Sequence, residues 1–137
     1  MATVDKFEDL EVLQLARVVC QQVEKLFQNT KLAGNFSLRD QMERSSGSIM
    51  DNIAEGFDRD GNSEFHIFLS YSKGSCSELK SQTYRAFDKG LISAEVLEQI
   101  QSRIEITTNK IGAFMFYLRK SNFRGQKFKW TPNNNKP

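Results

Sequence analysis

The chain has 137 residues, of which 39% are hydrophobic and 26% charged, with a net charge of +2. A single domain of that length buries roughly two-thirds of the surface its unfolded form exposes, so a core is expected without help from metals or disulfides. Two cysteines, Cys20 and Cys76, without CxxC spacing, argue against a disulfide framework, a redox pair or a zinc site, while the acidic N-terminal segment and the lack of any run near ~20 apolar residues argue against a signal peptide and a membrane span and for a cytoplasmic location.

Both prolines, Pro132 and Pro137, fall in the last six residues, which leaves the rest of the chain without a covalent helix breaker. The first predicted helix lies near residues 8–28, where Val12, Ala16, Val19, Val23 and Leu26 step by four, three, four and three and so share one helical face. The second lies near 37–57, with Leu38, Met42, Ser46, Ile49, Ile53 and Phe57 in the same rhythm; Ser37, with Asp40 three residues on, is its expected cap. The third runs from about Ser63 to Lys89 with Phe65, Phe68, Ser72, Cys76, Leu79, Thr83 and Ala86 in a stripe, and Gly90 is placed to end it in a left-handed conformation. Ser93 then caps the fourth, where Leu97, Ile100, Ile104, Thr107, Ile111, Phe114 and Leu118 alternate steps of three and four. Four such helices joined by short loops predict an all-α, antiparallel up-and-down four-helix bundle over residues 1–120, followed by a tail over 121–137.

Charge is distributed unevenly along this plan. Residues 119–137 contain six basic residues and no acid, leaving 13 basic against 17 acidic in the remainder. In the tail Arg119, Lys120, Arg124, Lys127 and Lys129 are interleaved with Phe123, Phe128 and Trp130. Cations that neutralise phosphates beside rings that stack on bases suit single-stranded or looped nucleic acid, and Arg119, Lys120, Arg124, Lys127, Lys129 and Trp130 are the candidate contacts. The same composition also fits a solubilising terminus or a strap packed on the bundle. Two further segments, Phe65–Tyr71 and Phe114–Leu118, are apolar nearly all round their helices, which predicts a subunit interface on their outward sides.

Signals for catalysis are sparse. His66 is the lone histidine, so neither a Ser/His/Asp triad nor a multi-histidine metal site can be assembled in one chain. No phosphate-binding glycine loop is present. Asp58, Asp60 and Asn62 imitate the opening of a calcium loop, but Gly61 stands at position four where position six is needed, and position twelve is Leu69 where a glutamate is needed. That segment reads instead as the turn between helices two and three, with Asn62 or Ser63 as cap. No metal or other cofactor is expected.

A denser pattern spans helices two and three: Arg44-Ser45-Ser46-Gly47-Ser48-Ile49-Met50-Asp51-Asn52-Ile53-Ala54-Glu55-Gly56-Phe57, then Glu64-Phe65, then Lys73-Gly74-Ser75-Cys76-Ser77-Glu78-Leu79. With the opening Phe7-Glu8-Asp9-Leu10-Glu11-Val12 it resembles the four-helix-bundle proteins known from intervening sequences in bacterial 23S ribosomal RNA genes, relatives of the accessory variability determinant of diversity-generating retroelements. The resemblance covers about residues 6–120. It implies an antiparallel bundle that forms a ring-like homopentamer, no catalysis, and a nucleic-acid-binding role. Many relatives carry a tryptophan where this chain has Leu13 and a proline where it has Met50, which here leaves helix two without a proline kink.

Physically the motif reads as architectural. Ser45, Ser46, Gly47 and Ser48 on helix two, and Gly74 and Ser75 on helix three, are small enough for close helix approach, and Gly56 closes the motif. Asn52 and Glu55 share a helical face, and Glu78 is expected to meet them or Arg44 across the hairpin. The functional expectation is a non-enzymatic oligomer bound to RNA or DNA, with a reverse-transcriptase-like protein as a further candidate partner. The alternative is a protein-binding scaffold with no nucleic-acid contact. An enzyme would need a composite site between subunits around Asn52, Glu55, His66 and Glu78.

Overall fold

Four helices follow one another through residues 10–120, the part of the chain described by the computed structural model: α1 (Glu11–Asn29), α2 (Phe36–Phe57), α3 (Asn62–Asp88) and α4 (Ala94–Lys120). There is no strand among the described residues. Cross-helix bonds fix the direction of each helix. Arg85 reaches Gln41, Ser75 reaches Ser48 and Ser72 reaches the carbonyl of Ile49, so residue numbers rise along α3 as they fall along α2. Likewise Asn62 meets Leu118 and Gln101 meets Thr83, which sets α4 antiparallel to α3. The Glu11–Lys110 ion pair (3.6 Å) joins the start of α1 to the second half of α4, and the bundle closes with α1 against α2 and α4, and α3 against α2 and α4.

The expected stripes form the core. All five α1 positions, all six α2 positions and every α4 position except half-buried Leu97 are buried. On α3 the expectation fails at one place: Phe68 is half-buried and Leu69 is buried in its stead. The reason lies in Phe65, which is fully buried and packs edge to face on Phe57 (6.1 Å) and Phe114 (5.2 Å). Position 69 stands four residues beyond it on the same side, whereas position 68 is rotated toward α2. Met50 sits within an unbroken α2.

The helix ends follow local chemistry, with two corrections. A single 3-10 turn, Lys31–Gly34, follows α1. Asn35, not Ser37, then caps α2 by accepting from the Leu38 amide at 3.1 Å; the turn leaves Asn35 just outside the helix, so Ser37 is already inside the first turn. The cap of α3 is Gly61, at φ 89°, with no side-chain bond. Asn62 is the first helical residue, and its amide donates instead to the Leu118 carbonyl at 3.1 Å, answering one of the carbonyls that the end of α4 leaves unpaired. The two remaining caps are as expected. Gly90, at φ 74°, ends α3 with paired bonds from its own amide to Phe87 and from Leu91 to Ala86 (2.9 Å each). Ser93 accepts from the Val96 amide at 3.1 Å.

Candidate functional site

The motif residues on α2 and α3 lie along one seam. The Asn52 side-chain amide donates to both the carbonyl and the hydroxyl of Ser48, each at 2.9 Å, and the Ser75 hydroxyl donates to the Ser48 hydroxyl at 2.9 Å. One turn earlier on α3, buried Ser72 donates to the Ile49 carbonyl at 2.8 Å. Ser45 and Ser46 are also buried, and the Cys20 thiol of α1 donates to the Ser46 carbonyl at 3.1 Å. Small side chains therefore bring α2 close to two neighbours at once. Gly56 is the tightest point, because a methyl there would stand 2.7 Å from Cβ of Phe68 and 2.8 Å from a ring carbon of Phe65.

Two expectations for this motif do not hold. Gly47 and Gly74 face open space, with nothing among the described residues within 4 Å of where a methyl would stand, so neither permits a close approach between the described helices. The carboxylates do not meet across the hairpin either. Glu55 pairs with Arg59, in the turn just after α2, at 2.8 Å, while Arg44 and Glu78 are exposed and make no ion pair among the described residues. A partner four residues on, in the adjoining turn, needs no second helix to reach it, and Arg59 is anchored there by lying 4.8 Å above the Phe68 ring.

At the far end of α4 the chemistry is different. Arg119 and Lys120 are exposed and both reach over the ring of Phe116, at 6.0 and 5.2 Å. The ring itself is 55% exposed. No carboxylate pairs with either cation among the described residues. His66 lies on the adjoining part of α3, half-buried, with Nε2 shielded from solvent and without a hydrogen-bond partner among the described residues. Burial, and then the positive charge of Arg119, push its imidazole below the ordinary value. Arg124, Lys127, Lys129 and Trp130 lie outside the described residues. The part played by Phe116 was missed in the sequence, where it read as one more apolar residue of an interface; the signal was its spacing of three and four from two cations, the separation at which helical side chains meet.

Residues that could do covalent chemistry are dispersed or subdued. Within one subunit Asn52, Glu55 and His66 do not converge, since the first is bonded within α2, the second to Arg59, and His66 faces the end of α4. Burial raises both thiols, Cys20 and Cys76, which keeps them in the unreactive protonated form. A cleft of about 480 Å³ lies elsewhere, between the second half of α1 and the start of α4, lined by Gln21, Gln22, Lys25, Gln99 and Arg103 among others.

A family model described as the 23S rRNA-intervening sequence protein matches residues 8–113. Among solved structures, a protein of unknown function from the S23 ribosomal protein family of Bacteroides thetaiotaomicron superposes with a TM-score of 0.69 and is 17% identical, the match covering 76% of this chain and 97% of that one. At that identity the likeness is one of fold. No curated protein matches the sequence.

Proposed function

The chain belongs to the 23S rRNA-intervening sequence protein family, and from that premise we propose that it is a non-enzymatic, oligomeric binding protein that associates with RNA or DNA. The observation that carries this reading is the pair of cations, Arg119 and Lys120, held over the exposed Phe116 ring. A ring of that kind offers a face to a base, and unpaired cations beside it offer charge to the adjoining phosphates. The basic, aromatic sequence that continues to Lys136 extends the same chemistry, whereas the remainder of the chain carries more acidic than basic residues.

Self-association is part of the proposal, with a homopentamer as the expected assembly. It is supported by Ile67 and Tyr71, one turn apart on α3, and by Tyr84 and Ile106, all between 44% and 55% exposed, large apolar side chains that a subunit interface would cover. The two open glycines on α2 and α3 add to this, since glycine inside a helix lowers its stability by about 1 kcal/mol against alanine and nothing among the described residues requires it there. Repeating a weak cationic patch around a ring would convert modest local affinity into avidity.

Binding of structured RNA and single-stranded DNA across a salt series tests the reading, alongside a chain ending at Leu118. Affinity that falls log-linearly with salt and collapses on truncation is expected. No binding of either ligand at low salt would overturn it in favour of a protein-binding scaffold, the reading that the exposed Ile67 and Tyr71 also fit. Sedimentation equilibrium tests the assembly: a species at one subunit mass, 15.7 kDa, at micromolar concentration would exclude a pentamer.

A further inference from the structure

We propose that His66 is the proton-linked member of the nucleic-acid site, so that a phosphodiester docked on Arg119 and Lys120 draws a proton onto its imidazole and binding tightens as pH falls. The inference rests on the nucleic-acid reading above and adds to it a residue from another helix and a direction of regulation.

Geometry places His66 at the patch. The bond from Asn62 to the Leu118 carbonyl, at 3.1 Å, pins the start of α3 to the last turn of α4, and His66 stands one turn further along the same side of α3. Its Nε2 is sealed from solvent with no hydrogen-bond partner among the described residues, so no hydrogen bond at that nitrogen fixes the charge state of the ring. From α4 the charged group that acts on it is Arg119, with Lys120 adjoining. From α2 and the turn after it, Glu55 and Arg59 are paired with each other and Arg59 lies on Phe68, the other flank of α3. On α3 itself Glu64 is exposed, two residues earlier.

The sign follows from these neighbours. With the patch bare, burial and the Arg119 charge both favour the neutral imidazole. A bound phosphodiester offsets the Arg119 charge and adds a negative one nearby, which favours the imidazolium. The complex therefore holds more protons than the free protein, and affinity must rise as pH falls from the midpoint of the complex toward that of the free protein. Outside that window the affinity is flat. The expected gain is about tenfold in Kd for each pH unit by which binding moves the midpoint.

The test uses the full chain and a 5′-hydroxyl oligothymidylate, whose phosphodiesters and bases do not titrate between about pH 5.5 and 7.5, the range in which histidine changes charge. Because His66 is the one histidine, its imidazole proton resonances report the midpoint directly. We expect that midpoint to rise when the oligonucleotide is present, Kd to tighten toward acid pH, and His66→Gln to give a flat profile while keeping its helical circular dichroism. His66→Lys, a permanent cation, should bind tightly at every pH. If the oligonucleotide binds but the midpoint stays the same or falls, or His66→Gln keeps the slope, this inference alone is overturned. If nothing binds at any pH in low salt, the nucleic-acid reading falls and takes this inference with it.

Discussion

The α2–α3 seam and the end of α4 both gather polar side chains beside aromatic rings, yet they are satisfied in opposite ways. Along the seam, Ser48, Asn52, Ser72 and Ser75 bond to one another or to the facing backbone, and Arg59 has both a carboxylate and a ring. At the end of α4, Arg119 and Lys120 have a ring and no carboxylate among the described residues. The dense motif therefore holds a hairpin together, while the groups left for a ligand lie where the motif is already over. Sequence density marks the more constrained part of this molecule, not the part with chemistry to spare.

The contrast is sharpest at Gly56. A methyl there is fixed to the backbone and cannot rotate away from Phe68 and Phe65, so Gly56→Ala should destabilise the protein by about 1–3 kcal/mol, read as a lower urea midpoint at unchanged slope. An unchanged midpoint would mean that α2 and α3 can separate without loss, and the seam would no longer count as rigid. Next in size is the hydroxyl network. Ser48→Ala should lower stability by about 0.5–1.5 kcal/mol, and a double-mutant cycle with Ser75→Ala should show coupling, as expected for groups in direct contact; strict additivity would dissolve the pairing.

Gly74→Ala probes the outer side of the same helix. In an isolated subunit it should stabilise by up to about 1 kcal/mol, because the position is open and alanine is the better helix former. Loss of the oligomer on sedimentation, despite a more stable fold, would show that a second subunit approaches the chain there. The smallest effect on stability belongs to the other region. Replacing Arg119 and Lys120 with glutamine should move the unfolding free energy by no more than about 0.5 kcal/mol, yet reduce the salt dependence of nucleic-acid binding by about one unit of slope for each phosphate that is no longer neutralised. A large stability loss there would make these cations part of the fold and remove the contrast between the two regions.

Much of the architecture was legible in the sequence because burial in a helix repeats every three to four residues, and α1, α2 and α4 obey that repeat almost without exception. Gly90 and Ser93 were legible too, since a left-handed glycine and a capping hydroxyl act over a few residues. Where neighbours from other helices compete, the sequence was a weaker guide. Asn62 looked like a cap, but the Leu118 carbonyl, 56 residues away, claims its amide. Glu55 and Glu78 looked like partners across the hairpin, but Arg59 lies one turn from Glu55 and needs no second helix to reach it.

By itself, then, the sequence determined an all-α bundle, the positions of its four helices, the faces they bury and the basic character of its C-terminal region, because each of these follows from spacing and composition along one segment. The tertiary structure decided what depends on two segments meeting: that Gly56 rather than Gly47 or Gly74 is the point of close approach, that Leu69 displaces Phe68 from the core, and that His66 comes to lie beside Arg119. Those outcomes turn on the rotation and register of one helix against another, which are set by how whole side-chain surfaces pack and are not written in either helix alone.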